Sequence, residues 1–289
     1  MQVFFNGICN GMLIALFAVA FSIVYIPTGV FYIALAGIYV FAAYITMQML
    51  QWTGSWQLAF SAALIACIVL SMLFDRFNHL PLKKRQASDG AHMISSLGLY
   101  MIMVQICALI WGNDPRSLRV IPQKTLVLPG ISMAYSQIAV LVFGAIILGA
   151  FLFWTECSGI GLRLRALANN PDQLALLGCN TNRMRLVSFG ISGALAALAG
   201  ILQACDLGFD PHTGMPALML AIVASIIGGR NNLIGPVVGG LILGIVRSLV
   251  VWYTSARWQD TVTFAILTLF LFCRPEGIFG LKERIEAGK

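Results

Sequence analysis

The few ionisable side chains of this sequence do not form the groupings on which catalysis or metal binding depends. Its three histidines, His79, His92 and His212, are scattered among predicted loops, and no Ser–His–Asp or Cys–His constellation accompanies them. Asp206 and Asp210 lie near His212, but their spacing is poor for a metal ion and a fourth ligand is missing. We therefore expect neither an enzyme nor a metal-binding protein.

The polar stretch with the clearest pattern is a basic interruption at residues 156–185, ECSGIGLRLRALANNPDQLALLGCNTNRMR. Four arginines bracket its central segment, NPDQLALLG. They are Arg163, Arg165, Arg183 and Arg185. The segment between them carries its own helix signals, which the flanking apolar sequence lacks.

These signals mark both ends of a short helix. Asn170 is a natural N-cap, Pro171 suits the first helical position, and Asp172 suits the positive end of the helix dipole. Gly178 can end the helix in the left-handed conformation. Together they predict a helix over residues 171–177.

This predicted helix is about two turns long, and alone in water such a helix is marginal. Its three leucines, Leu174, Leu176 and Leu177, need a surface to pack against. Two surfaces are open to them. One is the lipid or the remaining helices of this chain. The other, which we favour, is another protein on the cytoplasmic side.

The rest of the sequence has the composition of a membrane protein. Hydrophobic residues make up 59% of the 289 positions, and residues 1–74 contain no charge. Further charge-free stretches follow, and a helix needs roughly 20 mainly apolar positions to span a bilayer. The alternation typical of a barrel is absent. We predict an all-α, polytopic helical membrane protein of about eight to nine spans. Its residues 1–289 form one transmembrane domain.

The basic residues indicate which loops face the cytoplasm. If the spans alternate in direction, one face carries residues 83–85, the loop of residues 156–186, Arg230 and the C-terminal tail. Such loops are cytoplasmic by the positive-inside rule. The N-terminus is then outside and the C-terminus cytoplasmic. The net charge of +7 reflects this arrangement, so we expect lipid around the chain and no nucleic-acid partner.

Arg247 is the one charge that falls well inside a predicted span. A charge near the bilayer centre costs at least ~2.5 kcal/mol on insertion scales, which favours a functional role. Arg247 can face a transport path and meet a carboxylate. Alternatively its long side chain can reach the outer interface, because Trp252 marks that interface five residues later.

Small residues recur at four-residue spacing in two predicted spans. Ser192, Ala196 and Gly200 form one stripe. The other span has two stripes, Gly235 with Gly239 and Gly240 with Gly244. In lipid, such stripes let helices approach closely. We expect the glycine-rich span to pack tightly, against this chain or against a paired subunit.

Several motifs resemble the permeases of branched-chain amino acid ABC transporters. The central loop and the span after it resemble that family's loop and A-A-x-A-G span, and the similarity covers most of the chain in order. The stretches that carry it are RALANNPDQLALLGCNTNRMRLVSFGISGALAALAGIL, GGRNNLIGPVVGGLILG, RPEGIFG and, in outline, SIVYIPTGVFYIALAGIYVFAAY.

The resemblance implies the subunit of an importer that works by alternating access in the bacterial inner membrane. Two permeases form the pore, two ABC ATPase subunits dock beneath it, and a periplasmic substrate-binding protein delivers the substrate. We expect the second permease to be a distinct chain, giving a heterodimer. No G-x-x-x-x-G-K-[ST] phosphate loop occurs here, so the partner ATPases would use the ATP and this chain would need no cofactor.

The resemblance also assigns expected roles to particular residues. The coupling helix that contacts the ATPase would involve Arg165, Asn170, Pro171, Asp172, Leu174, Leu176, Leu177 and Gly178. The translocation path would involve Tyr32, Leu35, Gly37, Tyr39 and Arg247. The outer loop would offer Arg116, Arg119 and Lys124 to acidic residues of the binding protein, or leave them solvated. The sequence departs from the family pattern at Tyr32, Leu35 and Gly37, so the substrate stays open.

Two other classes of function stay open. One is an ATP-independent channel or secondary carrier for a small solute such as urea or an amide. The lack of acidic pairs inside the spans, which proton or sodium coupling would need, argues against it. The other is a membrane scaffold without transport. Leucine-like amino acids, other amino acids, urea, short amides and aromatic acids all suit an apolar path.

Overall fold

The computed structural model describes residues 2–118, 125–128, 131–169, 171–229, 232–273 and 277–278, and nearly all of this part is helical. The elements in chain order are α1 (Gln2–Thr28), α2 (Leu35–Thr53), α3 (Trp56–Phe74), a π-helical turn (Asp75–His79), α4 (Leu80–Lys84), α5 (Asp89–Trp111), β1 (Thr125–Leu128), β2 (Ile131–Ala134), α6 (Tyr135–Cys157), α7 (Gly159–Asn169), α8 (Pro171–Leu176), α9 (Thr181–Asp206), α10 (Gly214–Gly228), α11 (Ile234–Tyr253), a 3-10 turn (Ala256–Trp258) and α12 (Gln259–Cys273).

Six helical segments of the described chain are long and apolar enough to cross a membrane. They are α1, α5, α6, α9, α11 and the continuous run Trp56–Lys84 that begins with α3. The apolar helix α10, at 15 residues, is shorter. The predicted class, an all-α polytopic membrane protein, is confirmed. The count of about eight to nine spans stays a prediction.

Helix α1 forms the centre of the bundle. In its most apolar window, 83% of the residues are buried inside the protein, although it lies at the N-terminus. Phe17 and Phe21 on this helix are almost completely enclosed. A helix that is apolar on all sides is suited to such a position, because every face can be buried. Helices α9, α10, α11 and α6 pack around it.

Helix α11 lies against two neighbours through its glycines. A Cβ added to Gly244 would stand 2.2 Å from the Cα of Gly11, and one added to Gly240 would stand 2.5 Å from the Cα of Ala15. On the side that faces α10, a Cβ on Gly239 would meet a backbone carbonyl at 2.2 Å. Any larger side chain would separate these backbones. The expected tight packing of this span is confirmed, and the partners are α1 and α10 of the same chain.

The stripe on α9 packs in the same way. A Cβ on Gly200 would lie 2.0 Å from the carbonyl oxygen of Tyr39 in α2. About two turns earlier in α9, the Oγ of Ser192 donates a hydrogen bond of 2.5 Å to the carbonyl of Ala20 in α1. Small and hydroxyl side chains therefore hold α1, α2 and α9 at close range.

The chain turns between α1 and α2 just after a proline. Pro27 lies inside α1, which continues to Thr28. A proline there has no N–H to donate to the carbonyl of the residue four positions earlier, and α1 ends one residue later. Gly29 then turns the chain with a φ of +67°. The following helix, α2, is continuous from Leu35 to Thr53.

Two elements were not expected from the sequence. Residues 112–132 were predicted as a loop, yet β1 and β2 pair antiparallel, with Thr125 opposite Ala134 and Leu128 opposite Ile131. Strands of four residues are too short for alternation to stand out. The second element is α7, which occupies the first part of the predicted cytoplasmic loop.

Candidate functional site

Helices α7 and α8 lie at one end of the bundle, between α6 and α9, and we call this the loop end. The opposite end is the far end. On α7, Leu164 and Leu167 are buried while Arg163 is exposed. Leucines three residues apart are typical of one face of a helix. The sequence analysis treated this segment as a loop and overlooked that signal.

Arg165 ties α7 to the end of α6. Its Nη1 donates a hydrogen bond of 2.6 Å to Oε2 of Glu156, and its Nη2 donates one of 3.2 Å to the carbonyl of Thr155. A cation is favoured at this position because the carbonyls of the last turn carry partial negative charge. The predicted contact residue Arg165 therefore fixes the angle between two helices of its own chain.

Helix α8 ends as the sequence predicts. Gly178 has a φ of +78°, in the left-handed region, and the N–H of Cys179 donates to the carbonyl of Leu174 at 3.3 Å. The predicted cap, Asn170, lies outside the described residues. The side chains of Pro171 and Asp172 do too, so their roles stay predictions.

The three leucines of this segment separate into two groups. Leu174 is 4% exposed and packs inside the chain. Leu176 and Leu177 are 87% and 80% exposed, at the end of α8 and in the turn after it. One leucine therefore anchors the segment, and two present an uncovered apolar surface.

The start of α9 connects this segment to a buried ion pair. The side chain of Asn180 accepts a hydrogen bond from the N–H of Arg183 and caps the helix. Two residues later, Nε of Arg185 donates to Oδ1 of Asp75 at 2.8 Å. The Arg185 and Asp75 side chains are 4% and 2% exposed.

Other polar groups surround this pair, and we call the set the inner polar cluster. It comprises Tyr32, Ser71, Asp75, His79, His92 and Arg185. The hydroxyl groups of Tyr32 and Ser71 are 3.2 Å apart, and Ser71 donates to the carbonyl of Phe189 at 2.6 Å. The Nδ1 atoms of His79 and His92 are 3.3 Å apart. Tyr32, predicted for the transport path, lies in this cluster.

The π-helical turn positions two members of the cluster. A π-helix widens the ring of the helix by one residue, and such turns are frequent at functional sites. Here it follows α3 and places Asp75 and His79 at its two ends, both buried. The cluster thus joins the segment before α2 to α3, α5 and α9 at the loop end.

A cavity of about 330 Å³ lies at the far end of the bundle. Its polar lining includes Tyr39, Gln203 and Arg247, and the Tyr39 hydroxyl donates to Oε1 of Gln203. Asn10, Thr213 and Gln259 are its other polar lining residues. Its apolar wall comes mainly from α1 and α10. The residues of that wall include Leu13, Ile14, Phe17 and Leu220.

Arg247 bonds to two residues of its own chain, and whether it reaches the outer interface stays a prediction. Its Nη1 donates to Oδ1 of Asp260 at 2.8 Å and to Oγ1 of Thr263 at 3.1 Å, both on α12. The Arg247 side chain is 13% exposed, whereas that of Asp260 is 75% exposed. The guanidinium therefore borders the cavity while its counter-charge lies in the open.

The remaining predicted path residues lie elsewhere. Leu35 is fully buried in the helix packing. A Cβ on Gly37 would stand 2.8 Å from the Cβ of Met103, so this glycine serves the contact between α2 and α5. Of the five residues predicted for the path, the structure brings Tyr39 and Arg247 together in one cavity.

A second cavity, of about 650 Å³, opens at the loop end. It lies between the end of α1, the corner of α6 and α7, and the start of α11. Its lining includes Pro27, Glu156, Arg165 and Leu233. Each end of the bundle thus has a cavity that α1 and α11 border.

Arg116, in the segment after α5, is bound by other residues of the chain. The backbone of Arg116 pairs with that of Phe209, with N···O distances of 2.8 and 2.7 Å. Its Nη2 donates to the carbonyl of Trp111 at 2.5 Å. Arg119 and Lys124, the other two residues predicted to face a binding protein, lie outside the described residues.

A comparison with protein families decides the class of this chain. The family described as "Branched-chain amino acid transport system / permease component" matches it over residues 3–271. The chain belongs to this family. The resemblance inferred from the sequence motifs is confirmed, and the protein is a permease of the branched-chain amino acid ABC transporter type, a multi-pass membrane protein.

Named relatives agree over nearly the full length. The chain is 29% identical over 301 residues to the high-affinity branched-chain amino acid transport system permease protein LivH of Escherichia coli (strain K12), covering 98% of this chain and 96% of LivH. It is 27% identical over 298 residues to the corresponding permease protein BraD of Pseudomonas aeruginosa, with the same coverage of 98% and 96%.

A solved structure shares the fold. PsaBC from Streptococcus pneumoniae, in complex with Fab, superposes with a TM-score of 0.54 at 10% sequence identity. The match covers 95% of this chain and 92% of that one. At this identity the likeness concerns the fold alone.

For this permease, sequence reasoning missed the inner polar cluster. The available signal was Asp75, which is the first charged residue of the chain and closes its longest charge-free stretch. An acid at that position needs a partner, because an unpaired charge inside a bundle is costly. The sequence did not indicate that this partner is Arg185.

Proposed function

We propose that this permease is a subunit of an ATP-driven importer for branched-chain or related amino acids, working by alternating access. Partner ABC ATPases would use the ATP, and this chain would carry no cofactor. The names of the relatives LivH and BraD support the substrate class. The observation that carries the proposal is the uncovered apolar surface of Leu176 and Leu177 beside the anchored Leu174.

That surface suits a docking role. Two exposed leucines on a short segment gain about 1.5–3 kcal/mol each when a partner covers them. Exposed Arg163 and Arg183 border the segment, so an acidic rim on the partner would add attraction. In this proposal, α8 is the coupling helix and the loop end faces the cytoplasm, with the N-terminus outside and the C-terminus cytoplasmic.

The contacts of α8 with the rest of the chain would transmit a movement of the ATPase to the helix bundle. Leu174 is buried in the chain, α8 contacts α9, and Asn180 caps the start of α9. The Asp75–Arg185 pair then connects α9 to the end of α3. A displacement of α8 would therefore move α9 and α3 together, and it would change the access to the two cavities that border α1 and α11.

The proposed assembly has further members. A second permease, which we expect to be a distinct chain, would complete the pore, and two ATPases would bind at the loop end. A periplasmic binding protein would contact the far end, through Arg119 and Lys124 more than through Arg116, whose guanidinium already binds the Trp111 carbonyl. Lipid would surround the remaining apolar surface.

The test is co-purification from native membranes in mild detergent, with the partners identified by mass spectrometry. ATPase subunits should accompany the tagged chain in near-equal amount. Leu176→Asp with Leu177→Asp should reduce their recovery at least about tenfold, since two leucines that the ATPase would cover are lost. Leu207→Asp, at a leucine of the far end that is 65% exposed, is the control and should retain the ATPases.

One outcome would refute the importer proposal, and another would refute the role proposed for α8. The first is a chain that purifies alone and moves solute into vesicles without ATP, which would establish a channel or carrier. The other is equal ATPase recovery with the double variant and with the control, which would exclude α8 as the coupling helix.

A further inference from the structure

We propose that the far-end cavity binds a zwitterionic α-amino acid. Arg247, which lines the cavity, would hold the carboxylate, and Asp260, which pairs with Arg247 from outside the lining, would hold the ammonium group. This assignment rests on the amino-acid import proposed above and specifies how the permease itself would recognise its substrate.

The far-end cavity has the size of a small-ligand site, and its lining has an apolar part and a polar part. Its volume of about 330 Å³ lies at the lower end of the range for such sites, roughly 300–1,000 Å³. Leu13, Ile14, Phe17 and Leu220 form an apolar wall that matches an aliphatic side chain. A few convergent polar groups on an otherwise apolar lining are what fixes the orientation of a ligand.

Arg247 is placed to take a carboxylate. Both of its hydrogen bonds among the described residues come from Nη1, to Asp260 and Thr263. A guanidinium has five N–H donors in a planar fork, so another edge remains on which a carboxylate can bind through both oxygens. The low exposure of this side chain strengthens such a bond, because little water competes.

Asp260 is placed to release Arg247 and to take an ammonium group. Its carboxylate is mostly exposed, and an ion pair with one exposed partner is weakly held. A zwitterion that enters the pair offers a negative group to Arg247 and a positive group to Asp260. Each charge exchanges one opposite charge for another, so no unpaired charge is left in the bundle.

A purely structural role for the pair predicts different behaviour. In that case Arg247 and Asp260 only connect α11 to α12, and no variant of either should discriminate between ligands. In a zwitterion site, by contrast, the two residues read different ends of the ligand. Ligands that lack one end distinguish these possibilities.

The experiment measures equilibrium binding of tritiated leucine to the full chain in lipid nanodiscs. The competitors are isocaproate, which is leucine without its amino group, and isoamylamine, which is leucine without its carboxylate. Wild type should bind leucine saturably and prefer it at least about tenfold over both competitors. Arg247→Gln should weaken leucine and isocaproate about tenfold or more, and Asp260→Asn should weaken leucine but not isocaproate.

Two further variants complete the design. Arg257→Gln removes an exposed arginine from the turn between α11 and α12, and it should leave leucine binding unchanged. Leu220→Trp fills the apolar wall without touching the ion pair, and it should abolish leucine binding. This variant tests the site even if Arg247→Gln fails to fold.

The proposal is overturned if wild type shows no saturable leucine binding, or if Arg247→Gln and Arg257→Gln bind leucine alike. Either result leaves the import function intact when ATPases still co-purify through Leu176 and Leu177. Conversely, leucine binding that follows the expected pattern in a chain without ATPase partners would keep the site and reject ATP-driven import.

Discussion

Two ion pairs of the same chemistry lie at opposite ends of this permease. In both, an arginine donates to an aspartate at 2.8 Å. Asp75 and Arg185 at the loop end are both nearly fully buried, whereas at the far end only Arg247 is sheltered. The two pairs share this distance, so the property in which they differ is desolvation. Desolvation fixes what each charge loses when its partner leaves.

The difference in burial suits different tasks. If one partner of the Asp75–Arg185 pair is removed, the other is left charged without water, so the pair behaves as a permanent connection between α3 and α9. Separating Arg247 from Asp260 leaves the aspartate in solvent and Arg247 bonded to Thr263, so this pair opens at a lower cost than the buried one. The first is suited to transmit a displacement, and the second to exchange its partner.

The largest expected effect is at the buried pair. Asp75→Asn leaves Arg185 without its counter-charge and should lower the free energy of unfolding by about 3–5 kcal/mol. The measurement is thermal unfolding of the purified permease in detergent. Asp114→Asn, at an exposed loop carboxylate, is the control and should be close to wild type. A variant as stable as this control would contradict the assigned role of desolvation.

Removing both charges sharpens the comparison. Asp75→Leu combined with Arg185→Met leaves no unpaired charge, so it should recover most of the stability that Asp75→Asn loses. Coupling should nevertheless suffer, because the connection between α3 and α9 is gone. The check is ATP hydrolysis against substrate uptake in reconstituted vesicles. Normal uptake per ATP in the double variant would show that the pair does not transmit movement.

A smaller effect is expected at the exposed pair. Asp260→Asn should change the free energy of unfolding by about 0–1 kcal/mol, because the carboxylate it removes is mostly solvated and Arg247 keeps its hydrogen bond to Thr263. The same thermal measurement applies, side by side with Asp75→Asn. If both variants lose equal stability, burial does not separate the two pairs as argued above.

The smallest effect is expected at Glu156. Its pair with Arg165 is exposed on both sides, and Arg165 keeps its bond to the Thr155 carbonyl when the carboxylate is neutralised. Glu156→Gln should therefore change the free energy of unfolding by about 0.2–0.5 kcal/mol. High salt should reduce even this difference, since exposed charges are screened. A loss above that range would mean that the corner of α6 and α7 depends on this charge.

The parts of the fold that sequence reasoning predicted correctly depend on neighbouring residues. Spans follow from charge-free stretches, the end of α8 follows from Gly178, and the close packing of α11 follows from Gly240 and Gly244. Each signal is contained within one helix or turn, so no knowledge of the distant chain is needed.

The parts that it missed depend on residues far apart in sequence. Asp75 and Arg185 meet only because α3 and α9 pack together, and no local pattern selects that partner. A helix of about two turns has little periodicity, so the sequence did not separate Leu174, which points inward, from Leu176. The partner of Arg247 is nearer in sequence. Asp260 lies in the first turn of α12, which a short turn joins to α11, the helix of Arg247.

The glycine contacts of α1 have a consequence for how the protein is made. Gly11 and Ala15 of α1 are covered by α11, which begins only at Ile234. At about 5–20 residues per second, this face of α1 waits on the order of tens of seconds for its partner. During biogenesis the glycine face of the most enclosed helix therefore stays uncovered until late in synthesis.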